Sequence, residues 1–117
     1  MATNLAFGLD CKTAYSTPDT DECSQIELDK IEKRLNKTYQ STLQAIDRFS
    51  HEASMTDKSD LKKQLIDAQR VWVKFRKADC QAIYTLWSDG TIRNAMYIEC
   101  MSTRAQQRIK ELNEFHP

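Results

Sequence analysis

Residues 68–80 read AQRVWVKFRKADC, and within them Gln69, Trp72, Arg76 and Cys80 recur every three or four positions. At about 3.6 residues per turn these four side chains line one stripe of a helix. The stripe joins an amide, an indole, a guanidinium and a thiol. A water-facing helix has no use for the tryptophan, and an apolar core admits the arginine only where acceptors meet its donors. The spacing therefore predicts a helix at the centre of a small bundle, with a polar network and a disulfide built into its packing.

The rest of the chain agrees with a helical fold. Only two glycines and two prolines occur in 117 residues, with 40% apolar and 29% charged residues, a balance that favours neither disorder nor a turn-rich β-sandwich. The length suits a single domain, residues 1–117, with one hydrophobic core. No internal repeat or low-complexity tract divides it. Residues 1–17 lack a helical period and read as an extended arm held at Cys11.

Thr17-Pro18-Asp19 then offers a capping hydroxyl followed by proline at a first helical position. Ser24 with Glu27 makes a capping box, so the main helix begins at Ser24 or continues from Pro18. Its apolar positions, Ile26, Ile31, Leu35, Tyr39, Leu43, Ile46 and Phe49, are mostly four apart, which predicts an amphipathic helix over 18–49. The segment Ser50 to Thr56, with His51, reads as the first turn. A second helix over 56–88 carries Leu61, Leu65, Ala68, Trp72, Phe75 or Arg76, Ile83 and Trp87 on one face. It should stop at Ser88-Asp89-Gly90, where Gly90 can take the positive φ that closes a helix. A third helix, 91–113, sets Ile92, Met96, Cys100, Thr103 and Leu112 near one line. The expected architecture is an all-α, antiparallel three-helix bundle with an N-terminal arm.

The four cysteines, Cys11, Cys23, Cys80 and Cys100, lack the C-x-x-C spacing of a zinc ribbon or thioredoxin-type site. Disulfides are the reading, and they place the protein in a periplasm or outside the cell. On that reading the chain is a mature form whose signal peptide has been removed; the alternative is a cytosolic protein with four free thiols. Short connections make neighbouring helices antiparallel, so residues equidistant from a turn share a level. Around Gly90, Cys80 meets Cys100. That leaves Cys11 with Cys23; four cysteines allow three pairings, and this is the one the geometry favours.

The same reflection brings Arg76 toward Arg104 and, around the first turn, toward Glu32 and Asn36. Glu32, Asn36, Gln69, Arg76 and Arg104 are thus expected to form a structural polar network that fixes helix register. The alternative is that both arginines lie along the surface, their stems covering apolar neighbours.

Lys plus Arg equals Asp plus Glu at 17 each, so no global field collects nucleic acid or an anionic membrane. The distribution is uneven. Residues 1–32 hold Asp10, Asp19, Asp21, Glu22, Glu27, Asp29 and Glu32 against Lys12 and Lys30 alone. An acidic end can steer a cationic partner, or serve only the helix dipole and solvation. Arg70, Lys74 and Lys77 read as a solvated outer face. His51 and His116 have no ligand-spaced neighbours, no phosphate loop or nucleophile elbow occurs, and no apolar run is long enough to span a bilayer. Neither a metal, a cofactor nor catalysis is expected.

Several of these pieces together resemble the LprI-like family of small secreted, cysteine-containing helical proteins. They are Cys23 before the first long helix, Leu35-Asn36-x-x-Tyr39 with Leu43, the stripe Gln69-x-x-Trp72-x-x-x-Arg76-x-x-x-Cys80, the Gly90 loop, and Cys100 with Arg104 and Leu112. Where the family often has Asp four residues before Asn36, this chain has Glu32. The family includes a lipoprotein described as an inhibitor of lysozyme. The resemblance therefore implies a non-catalytic binding protein with a lysozyme-type hydrolase as partner; a cell-envelope interaction module is the alternative. The contact residues expected on this reading are Asp19, Asp21, Glu22, Glu27 and Asp29, then Ser88 and Asp89 in the second loop.

Overall fold

The computed structural model describes residues 11, 17–53 and 58–115. They form three helices, α1 (Thr17–Ala53), α2 (Lys58–Leu86) and α3 (Arg93–Glu114). The arm expected over 1–17 lies outside the described residues apart from Cys11 and Thr17, as does His116.

Helix α1 starts at Thr17 with Pro18 and Asp19 in its first turn, where a missing N–H costs nothing and a carboxylate suits the dipole. It therefore continues from Pro18 through Ser24 without a new start. At 37 residues it is roughly 55 Å long, and it runs to Ala53, past the Ser50 at which the apolar period fades. Leu28, Ile31, Leu35, Thr42 and Ile46 form its buried line. Thr42 is tolerated there because its hydroxyl donates to the Thr38 carbonyl at 2.9 Å and lies 3.5 Å from the Leu112 carbonyl of α3.

Helix α2 ends at Leu86, earlier than expected, and the chain closes through Ser88 N–H to the Thr85 carbonyl and Gly90 N–H to the Trp87 carbonyl. Gly90 does not take the positive φ expected of it. These tight backbone bonds satisfy the end of the helix without a left-handed glycine. Arg93 then opens α3, and the Phe115 N–H caps its far end on Leu112.

The layout differs from expectation in one respect. Helix α3, not the tryptophan-bearing α2, lies between the other two, and α1 and α2 meet least. Ala105 of α3 is fully buried in the core, and a side chain of one methyl lets a neighbouring helix pack closely there. Ile31, Leu35, Ile46, Leu65, Ala105, Ile109 and Leu112 make one core, flanked by Tyr39, Leu43, Leu61 and Trp72. Each large aliphatic side chain there contributes about 1.5–3 kcal/mol by leaving water. The face of α2 is also corrected. Of the two alternatives at its middle, Arg76 turns inward at 6% exposure while Phe75 points out at 55%. Ala68 and Trp87, expected on the packing face, are exposed as well.

Both disulfides have the favoured pairing. Cys80–Cys100 ties α2 to α3 with Cα atoms 5.6 Å apart, and Cys11–Cys23 ties the preceding chain to α1 at 5.5 Å.

Candidate functional site

Three arginines stitch the bundle, each with its own acceptor. Arg76 grips Glu32 of α1 through both terminal nitrogens, Nη2 at 3.1 Å, and Nη1 also donates to the Met101 carbonyl at 3.4 Å. Its guanidinium lies 4.9 Å from the centre of the Trp72 ring, a cation–π contact that offsets part of its desolvation. Arg104 pairs instead with Asp79, and Arg108 Nε donates to Gln69 Oε1 at 2.8 Å. Thus Arg76 and Glu32 are brought together. Gln69 and Arg104 each join another partner, and Asn36 is exposed.

Asp79 and Arg108 were missed at the sequence level: the reflection about Gly90 that matches the two cysteines matches Arg104 with Arg76 and sets Asp79 level with Met101, almost a turn away from its partner. The three pairs are arranged along the helices as successive rungs. Truncating Arg76 would leave the partly buried Glu32 carboxylate without its counter-charge.

The helix register locates the acidic residues. Thr42 of α1 lies against Leu112 of α3, 70 residues on, and α1 runs parallel to α3. The same offset sets Asp19 to Glu22 level with Asp89 to Ile92. Within 17–30 and 83–99 the acids are Asp19, Asp21, Glu22, Glu27, Asp29, Asp89 and Glu99, against only Lys30 and Arg93. Asp19, Glu22, Glu27 and Asp29 are exposed, and Asp21 is half-buried. Two of them are lightly held: Asp29 accepts from Gln25 at 3.0 Å, and Glu27 meets Lys30 at 3.4 Å in an exposed pair worth little.

Apolar side chains share this end. Leu86, Trp87 and Ile92 are exposed at 73%, 40% and 44%. Ser88 and Asp89 stand exposed between them, and the Ser88 carbonyl accepts from Arg93 at 3.1 Å. The end is an apolar tip among carboxylates, a combination suited to a cationic protein surface with a recess. Beside it, α2 and α3 enclose a cleft of about 240 Å³ lined by Ile83, Met96, Glu99, Cys100, Thr103 and Arg104.

Among the described residues no group of three or more His, Cys, Asp or Glu side chains could hold a metal ion. Nor is any helix among them long and apolar enough to cross a membrane.

The fold and this end define a small, disulfide-stapled helical protein with a charged, aromatic-tipped surface. The chain belongs to the family described as lysozyme inhibitor LprI, whose model matches residues 10–112. It is also 25% identical over 107 residues to the uncharacterised protein R02472 of Rhizobium meliloti (strain 1021), covering 90% of this chain and 77% of the relative. No solved structure matches it.

Proposed function

We propose that this chain is an exported, non-catalytic binding protein that blocks a lysozyme-type peptidoglycan hydrolase, working in the periplasm or outside the cell. The family's description supports the hydrolase as partner, and two disulfides support an oxidising compartment. The observation that carries the reading is the shared level of the acidic first turns of α1 and the apolar Leu86–Ile92 tip. A hydrolase that works on an anionic wall polymer gains from a cationic exterior. The carboxylates Asp19, Asp21, Glu22, Glu27 and Asp29 attract that exterior, and the 86–92 turn, with Ser88 and Asp89, covers the cleft. Inhibition then needs no chemistry from this chain, only occlusion held by complementary charge.

The test is turbidimetric lysis of peptidoglycan by several lysozyme types in the presence of the oxidised protein at equal concentration. Inhibition of at least one type supports the proposal. Undiminished lysis by all of them overturns it and leaves an envelope interaction module as the function.

A further inference from the structure

Residues 30–48 of α1 and 62–77 of α2 hold eleven lysines and arginines against three acids, Glu32, Asp47 and Asp67, in a chain that is neutral overall. All three acids are already engaged, with Arg76, Lys62 and Arg70 respectively. Two of these pairs, Glu32–Arg76 and Asp47–Lys62, run from α1 to α2 in opposite chain order, so the helices are antiparallel and the paired residues mark the sides they turn to each other.

Each of the four residues in those pairs is followed by a cation: Lys33, Arg48, Lys63 and Lys77. One residue further along is a step of about 100° around a right-handed helix. On two antiparallel helices that face each other, this step carries both sets of side chains to the same side of the pair. Thr42 lies the other way round α1 and meets α3, so the four cations stand on the face turned away from α3. Lys37, a turn beyond Lys33, and Arg70, two turns before Lys77, complete two rows. All six are exposed, and among the described residues only Arg70 has a carboxylate partner, Asp67 at 4.0 Å.

The rows are each roughly 21 Å long, on axes about 10 Å apart. Lys33 sits level with Lys77, and Arg48 with Lys63, because their neighbours in the chain are the ion pairs. Cations set out in this way repel one another and gain from a chain of negative charges laid along them. Lysine neutralises an anion as a point charge without demanding its geometry, which suits a repeating polymer better than one shaped ligand. Exposed Gln40 and Gln44 stand between Lys37 and Arg48 and supply amide hydrogen bonds to the same chain.

We propose that this face binds a linear anionic polymer of the cell envelope, with its charged repeats running along the two rows. A bilayer fits less well, because Val73 is the one large apolar side chain exposed beside the rows and gives lipid little to bury. Nucleic acid fits less well too, since no exposed aromatic ring stands among these cations to stack a base. The acidic end of a second copy is a poorer match, because residues 19, 21, 22, 27 and 29 wind around α1 instead of forming two rows. The inference does not depend on hydrolase inhibition, which uses a different part of the molecule.

The probe is labelled poly(glycerol phosphate) of about twelve repeats, long enough to cover the rows, titrated with the oxidised chain by fluorescence anisotropy over a range of salt. The polymer should bind at low salt, and log K should fall against log salt with a slope steeper than about −2, as neutralising several phosphates requires. Lys33→Glu with Lys77→Glu should weaken binding at least about tenfold and flatten that slope, whereas Lys110→Glu, exposed on α3, should change it less than about twofold. Should the first pair lower the thermal melt through the adjoining Glu32–Arg76 contact, Arg48→Glu with Lys63→Glu at the other end of the rows carries the test, with the same expected loss. No binding at low salt, or the same response to Lys110→Glu as to both pairs, overturns the proposal. Phosphatidylglycerol vesicles present the same charged group as a surface, and cosedimentation with them without binding of the polymer would overturn it in favour of a membrane. Oligothymidylate of equal charge binding about tenfold more tightly than the polymer would overturn it in favour of nucleic acid. A low-salt oligomer, seen by light scattering, that Lys33→Glu with Lys77→Glu disperses would make a second copy the occupant and overturn it as well.

Discussion

Arg76, buried in the middle of α2, clasps Glu32 of α1 from across the bundle with both of its terminal nitrogens. This is the most deeply placed ionic contact between α1 and α2, the two helices that meet least. Arg76→Met should cost about 2–3 kcal/mol, less than the ~3–5 for breaking a fully buried pair, because Glu32 keeps 34% of its side chain exposed. Replacing both, as Arg76→Met with Glu32→Leu, should recover most of the loss, since no charge is then stranded. Urea unfolding of the single and double variants measures it; a double variant no more stable than the single would contradict the account.

Arg104 and Asp79 make the same kind of pair in a wetter place, with side chains 36% and 33% exposed. Solvent competes for both groups, and Asp79→Asn should cost about 1 kcal/mol or less. A cost equal to that of Arg76→Met in the same urea series would show that burial does not rank these contacts.

The two disulfides should differ in consequence. Each removes loop-closure entropy worth about 3 kcal/mol, over separations of 20 residues for Cys80–Cys100 and 12 for Cys11–Cys23. Cys80 is also fully buried in the α2–α3 contact, so Cys80→Ser with Cys100→Ser adds a desolvated hydroxyl to the lost tether. Thermal melts should fall further for this pair than for Cys11→Ser with Cys23→Ser. The reverse order would mean that the amino-terminal staple carries more of the fold.

On the outer side of α2, Val71→Ser should change stability by less than about 0.5 kcal/mol, because Val71 touches water over 66% of its surface. Leu65→Ser, on the buried face at 6% exposure, should cost about 3 kcal/mol or more from the lost apolar contacts and the buried hydroxyl. Guanidinium melts of the two variants separate the faces; equal losses would mean that α2 is rotated from the orientation described.

The helices and the Cys80–Cys100 pairing were legible because each rests on a one-dimensional rule, a period along the chain or a reflection about a turn, and Cys11–Cys23 was then the pair left over. The Arg76–Glu32 contact followed from the same reflection. Phe75 and Arg76 were not separable that way, since adjacent residues differ by about 100° around a helix and both bordered the expected packing face. What decided between them was tertiary: Glu32 and Trp72 gave the guanidinium acceptors and a ring face, and Phe75 is left 55% exposed. The position of α3 between its neighbours was hidden for a related reason. Ala105 is nearly neutral in any hydrophobic pattern, yet it is fully buried in the core. In the candidate site, the acidic run was plain in sequence; its level with the 86–92 turn required the Thr42–Leu112 contact.

The most direct measurement for the central claim is inhibition of a cationic lysozyme by the wild-type chain and by Asp19→Lys with Asp21→Lys and Glu22→Lys, at low and at high salt. The account predicts that wild-type inhibition weakens as salt screens the acidic end. It also predicts that charge reversal raises the concentration needed for half-inhibition by about tenfold or more at low salt, while thermal melts of the two proteins stay close. Full inhibition by the reversed chain, unaffected by salt, would contradict it.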